Sequence, residues 1–101
     1  MANPMRGEVE IVVDGAAYAA RLSLGALAAL EARLGADSLI ALAARFEAGA
    51  FSARDVIAVL EAGLGASGWQ GDLGAAEIGG GPVGAAQAAA RLLALAFTIP
   101  D

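Results

Sequence analysis

One dipeptide constrains the fold more than any other feature of the chain. Asp14-Gly15 stands between two runs, 8–13 (EVEIVV) and 16–22 (AAYAARL). A two-residue hairpin turn needs positive φ at both central positions, which Asp tolerates and Gly adopts freely. In the first run Val9, Ile11 and Val13 alternate with Glu8, Glu10 and Val12, so one face is apolar. In the second run Tyr18, Ala20 and Leu22 share one face, and Ala17, Ala19 and Arg21 share the other. Ala dominates this run and favours helix on propensity alone. The turn decides for a strand, and the pattern predicts a β-hairpin over about 8–22. A two-stranded hairpin is marginal in water, so it has to lie on helices or join other strands.

The rest of the chain reads as helix. Ser23 is placed to cap a helix over about 24–34, with Leu27, Leu30 and Leu34 on one stripe and Gly35 at the left-handed exit position. Asp37 or Ser38 caps a second helix over about 38–48, with Leu39, Leu42, Ala43 and Phe46 on one face and Gly49 ending it. Ser52 and Asp55 form a Ser-x-x-Asp capping pattern, preceded by Phe51 as a hydrophobic staple. They open a third helix over about 53–63, whose stripe is Val56, Ile57, Leu60 and Leu64. The stretch 63–71 (GLGASGWQG) is a loop, and Asp72 is positioned to start a short helix over 73–78. Gly79-Gly80-Gly81-Pro82 breaks the chain, and Pro82 suits the first turn of a last helix over about 83–97. The expected fold is therefore α+β and mostly helical: one hairpin, then four or five helices. It forms a single domain over 6–101 behind a disordered lead-in at 1–5.

Composition narrows the function. The chain of 101 residues carries six Arg, no Lys and eleven acidic residues, for a net charge of −5. No basic cluster offers itself to phosphates, so no nucleic acid is expected as a partner. With no His and no Cys, the usual zinc ligands and thiol nucleophiles are missing, and no cofactor or metal is expected. The acids are spread singly along helix faces, and neither Glu31 with Arg33 nor Arg45 with Glu47 is at helix-facing spacing. No acid–base pair emerges, and no enzymatic activity is expected. Two glycine triplets match G-x-G-x-x-G, at Gly63, Gly65, Gly68 and at Gly79, Gly81, Gly84. A phosphate cradle needs that motif between a strand and a helix, a context neither has, so both are read as connectors. The polar opening MANPMRGEVE gives no secretory leader. The stretch 79–100 has one charge, Arg91, whose placement past the middle of a span costs about 2.5–3.5 kcal/mol on an insertion scale, so no membrane helix is expected.

What survives is association. The last helix is apolar nearly all round, with only Gln87 and Arg91 polar, and a small protein has little core in which to bury it. It is expected either to fill the groove left by the first three helices or to dock on another chain, including a second copy. Candidate partner-binding residues are Val83, Arg91, Leu92, Leu95 and Phe97. Trp69, alone in a glycine-rich loop, joins them as either a cover over the core or a partner anchor.

Several of these residues carry a resemblance. Asn3-Pro4, Arg6-Gly7-Glu8-Val9, Asp14-Gly15 and LAALEARLG over 27–35 resemble the start of a small family encoded in gene transfer agents and related tailed phages. The later SARDVIAVLEAGL segment has similar spacing, whereas Ser23-Leu24 stands where a bulkier residue is usual and 79–82 is richer in glycine. That family is described both as a tail tube protein and as a tail assembly chaperone. The resemblance implies a non-enzymatic role in tail building inside the bacterial producer cell. The partner would be the tape-measure protein or another tail protein. A tube subunit would need long strands to line a lumen, which one short hairpin does not supply, so the chaperone is the favoured reading. The alternatives are a structural tail component and a small acidic interaction domain unrelated to tails.

Overall fold

The computed structural model of the chain describes residues 8–34, 39–65, 67–69, 71, 73 and 76–97. In chain order these form β1 (Glu8–Val13), β2 (Ala16–Arg21), α1 (Leu24–Leu34), α2 (Leu39–Glu47), α3 (Ala53–Gly65) and α4 (Gly81–Ala96). The lead-in at 1–5, the exit glycine Gly35 and the caps Asp37, Ser38 and Asp72 lie outside the described residues.

The hairpin forms as its turn dictates. Asp14 and Gly15 have φ of 51° and 84°, and the antiparallel register sets Val9 opposite Ala20, Ile11 opposite Tyr18 and Val13 opposite Ala16. Val9, Ile11, Val13 and Ala20 are buried, so the apolar face read from the alternation is the one turned to the core. Glu10, Ala17 and Arg21 on the other face are exposed.

The starts of α1, α3 and α4 follow local chemistry. Ser23 Oγ accepts from the Ala26 amide at 3.1 Å. Ser52 and Asp55 close a reciprocal box: the Asp55 amide donates to Ser52 Oγ at 3.2 Å, and the Ser52 amide donates to Asp55 Oδ2 at 3.0 Å. Phe51, just before that box, stacks on Phe46 at 4.7 Å between ring centroids and so fastens the α2–α3 connection. At α4 the N-cap is Gly80, left-handed at φ 85°, with Pro82 in the first turn.

The layers meet on α3. Its residues Val56, Ala58, Val59, Leu60 and Leu64 are all buried, and α1, α4 and β2 pack around it. Gly63 sets how closely: a Cβ there would lie 2.9 Å from Leu92 Cδ1 of α4 and 3.4 Å from the Ala20 Cβ of β2. The absence of a side chain at Gly63 therefore lets α4 and the hairpin close on the same turn of α3. Of the two roles open to α4, filling the groove is met directly: Ala85, Ala89, Leu92 and Leu93 are buried against α3, the hairpin and α2.

The fifth helix, allowed for over 73–78, is not formed among the described residues of that stretch. Ile78 instead bridges Val13. The Gly79 amide donates to the Val12 carbonyl at 2.8 Å and the Asp14 amide to the Glu77 carbonyl at 2.8 Å, while Asp14 Oδ1 accepts from the Glu77 amide at 2.9 Å. The outer edge of β1 offers backbone groups that a strand-like segment can pair. The glycines that follow form a turn, with Gly80 and Gly81 at φ of 85° and 66°, that leads into α4.

Candidate functional site

Three features carry or border the predicted partner-binding residues: α4, the two grooves beside it, and the loop that carries Trp69; Leu24 and Ile40 are the other large apolar residues exposed among the described ones. Beside its buried stripe α4 carries a second apolar strip that is exposed at its ends, whereas the side turned away from the core carries Gln87, Arg91 and Ala94. Val83 is 69% exposed and Phe97 is 41% exposed. Val83, Ala86, Ala90, Leu93 and Phe97 recur at alternating spacings of three and four, which places them along one line of the helix. Leu93 forms the buried side of that line, and Ala86 and Ala90 are half-buried.

Two grooves border the line. One, of about 400 Å3, runs between α4 and α2 and is lined by Ala43, Phe46, Glu47, Ala90, Leu93 and Phe97 among others. The other, of about 310 Å3, lies toward the start of α4 and is lined by Phe51, Ala53, Val56, Pro82, Ala85 and Ala86. The stacked Phe46 and Phe51 contribute one wall each. Glu47 is the single ionisable lining residue of the two grooves among the described residues. A further cavity of about 380 Å3 sits under the turn into α4, between Glu77, Ile78 and Pro82.

The predicted partner-binding residues separate into different environments. Val83 and Phe97 stand at the ends of the apolar strip, and exposed Arg91 lies with Gln87 on the side of α4 turned away from the core. Leu95 is half-buried against the core. Leu92 does not belong with them: it is fully buried against Gly63, because it shares the inward stripe of Ala85 and Ala89. Trp69 lies apart, in the loop after α3. It packs partly buried against the core, and its ring lies over Gly71, where a Cβ would come within 3.1 Å of it. The amides of Ser67 and Trp69 and the Ser67 hydroxyl all donate to the Leu64 carbonyl, which holds this loop against the end of α3. Its place is that of a cover over the core.

Sequence reasoning missed the charged ties between helices. Arg33 of α1 pairs with Glu61 of α3, and the second oxygen of Glu61 accepts from the Leu73 amide at 3.0 Å. Arg45 of α2 pairs with Asp55 of the capping box at 3.5 Å. The Arg33–Glu61 partners are 28 residues apart, so no local spacing announces them. Among the described residues no group of acidic side chains is arranged to hold a metal ion, and no helix is long and apolar enough to cross a membrane.

The fold is an acidic helical bundle on a small hairpin, with a strip of apolar side chains along its last helix. Residues 6–98 match the family described as phage tail tube protein, GTA-gp10, and the chain belongs to that family, which is also a tail assembly chaperone family. The family is a tail family and generally non-enzymatic, so tail proteins are the partners that membership implies. Comparison with curated proteins and with solved structures returns no match.

Proposed function

We propose that this protein is a tail assembly chaperone, which binds the tape-measure protein in the producer cell while the tail is built and is not a lasting part of the tail. The observation that carries the reading is the apolar strip of α4, exposed at its ends in Val83 and Phe97, with little strand among the described residues. An aggregation-prone client with exposed apolar segments needs such a surface to cover them before assembly. A tube subunit needs enough strand to close a barrel around a lumen. The two named strands here have six residues each, and part of the outer edge of β1 is already paired by Glu77 and Gly79. That favours the chaperone over the structural tail component.

Co-expression with the tape-measure protein from the same operon tests the reading. The expected result is a complex that co-purifies and a tape-measure protein that stays soluble. Purified particles should then lack this chain. Recovery of the chain at many copies per particle, with no effect on tape-measure solubility, would favour the tube component instead.

A further inference from the structure

We infer that the trough along α4 is built for one occupant: an amphipathic helix of about four turns, carrying a positive charge on the flank that faces α2. The length follows from the line itself. Val83 to Phe97 is fourteen residue steps, or about 21 Å at 1.5 Å per residue. The two grooves lie along this one line, so the free space is elongated, as a helix needs and a compact small molecule does not. The alternation of three and four is the spacing that a second helix meets with its own apolar residues.

The charge follows from Glu47. It lines an otherwise apolar groove, is exposed, and has no ion-pair partner among the described residues, since Arg45 beside it is committed to Asp55. A Lys or Arg of the occupant next to its apolar stripe would meet that carboxylate, and the net charge of −5 steers such a helix in. A second copy fits less well. Pairing two α4 helices antiparallel about a two-fold axis through the middle of the line, near Ala90, keeps each flank on its own side. Arg91, the one charge on α4, then stays on the side away from α2, so no positive side chain of that helix meets Glu47. The occupant is thus a segment of a different chain. The chaperone reading supplies its source, a tape-measure helix; the chemistry of the trough does not depend on that reading.

Two synthetic helical peptides of about 18 residues, identical except for Lys or Glu beside a leucine stripe, test the inference by NMR titration of the full chain. Expected are shifts confined to the α4 and α2 amides and about tenfold tighter binding of the Lys peptide. Glu47→Lys should reverse the preference. Glu10→Lys, the same change of net charge on the exposed face of the hairpin, should only weaken it slightly, by the share that net charge contributes. Equal effects of the two substitutions would reduce the preference to net charge and overturn the proposal. So would the absence of α4 shifts, or a self-associated chain, broken up by Phe97→Ala, that takes neither peptide. Tape-measure co-purification separates the two readings. A trough that binds the Lys peptide while the tape-measure protein is not retained leaves the trough standing and removes the chaperone. Retention that Glu47→Lys does not weaken does the reverse.

Discussion

Two glycines show how position decides the sign of one substitution. Gly84 lies in the first turns of α4, and a Cβ there would lie 2.6 Å from the Gly79 carbonyl oxygen. That atom is backbone, fixed by the pairing of Gly79 with Val12, so it has little freedom to give way. Gly65 ends α3 with open space around its missing Cβ. Helix propensity favours Ala over Gly at both by up to about 1 kcal/mol. At Gly84 the clash outweighs that gain, and Gly84→Ala should destabilise by about 1–3 kcal/mol, the usual cost of overpacking. Gly65→Ala should be neutral or stabilise by up to about 1 kcal/mol. Urea unfolding of the two variants checks both, and a Gly84→Ala protein as stable as the parent would show that the turn into α4 yields. Leu92 belongs to the same scale. Truncating it to Ala removes a side chain that fills the contact at Gly63, for about 2–5 kcal/mol.

Among the elements, the capping box at the start of α3 has the widest reach. Asp55 accepts from the Ser52 amide, pairs with Arg45, and is itself buried, so it joins α2 to the central helix. Asp55→Ala should cost about 1–2 kcal/mol, at the upper end of cap losses, whereas Arg45→Ala should cost under about 1 kcal/mol because that side chain is partly exposed. Thermal unfolding of both variants orders them, and an Arg45→Ala loss as large as that of Asp55→Ala would make the ion pair, not the cap, the main tie. The last helix behaves differently from a detachable arm. Ala85, Ala89, Leu92 and Leu93 of α4 belong to the core, so removing 83–101 should abolish cooperative unfolding, and a truncated chain that still melts in one sharp transition would contradict this packing. These elements were legible where the signal is local. Asp14-Gly15 marks the hairpin, Ser23 and Ser52 mark helix starts, and the 3–4 spacing of leucines marks buried stripes. The segment around Ile78 was not, because its partners Val12 and Asp14 lie more than sixty residues away and Asp72 resembles a cap in isolation. The apolar strip on α4 was half legible. Composition announces excess apolar surface, but only the packing on α3 separates Leu92, turned inward, from Val83 and Phe97, turned out.

At the scale of the whole molecule, the fold divides its apolar residues between holding itself together and leaving a surface unused. A small domain gains little from its core, so an exposed Val83 and Phe97 are retained at some risk of aggregation. The net charge of −5 opposes that risk through repulsion between copies. A chaperone of an apolar client has this division of labour, and it makes a prediction that stability measurements alone cannot reach. Val83→Asp with Phe97→Asp alters the two ends of the strip and should lower stability by about 1–2 kcal/mol, mostly at Phe97, whose ring is more than half covered and which stands at the helix C-terminus. It should nevertheless remove most of the retention of the tape-measure protein on co-purification, because the line between those ends loses both apolar termini. Leu92→Ala should do the opposite. It lowers stability by about 2–5 kcal/mol, but below the melting temperature it should reduce retention only as far as the folded fraction falls. Measuring unfolding and retention on the same preparations separates the cases. If the two exposed substitutions leave retention intact, the client contacts some other face, for which the exposed Leu24 and Ile40 are the remaining large apolar residues among the described ones. If Leu92→Ala abolishes retention while the chain remains folded, the client reaches the core by opening α4, and the helix is part of the binding event rather than its platform.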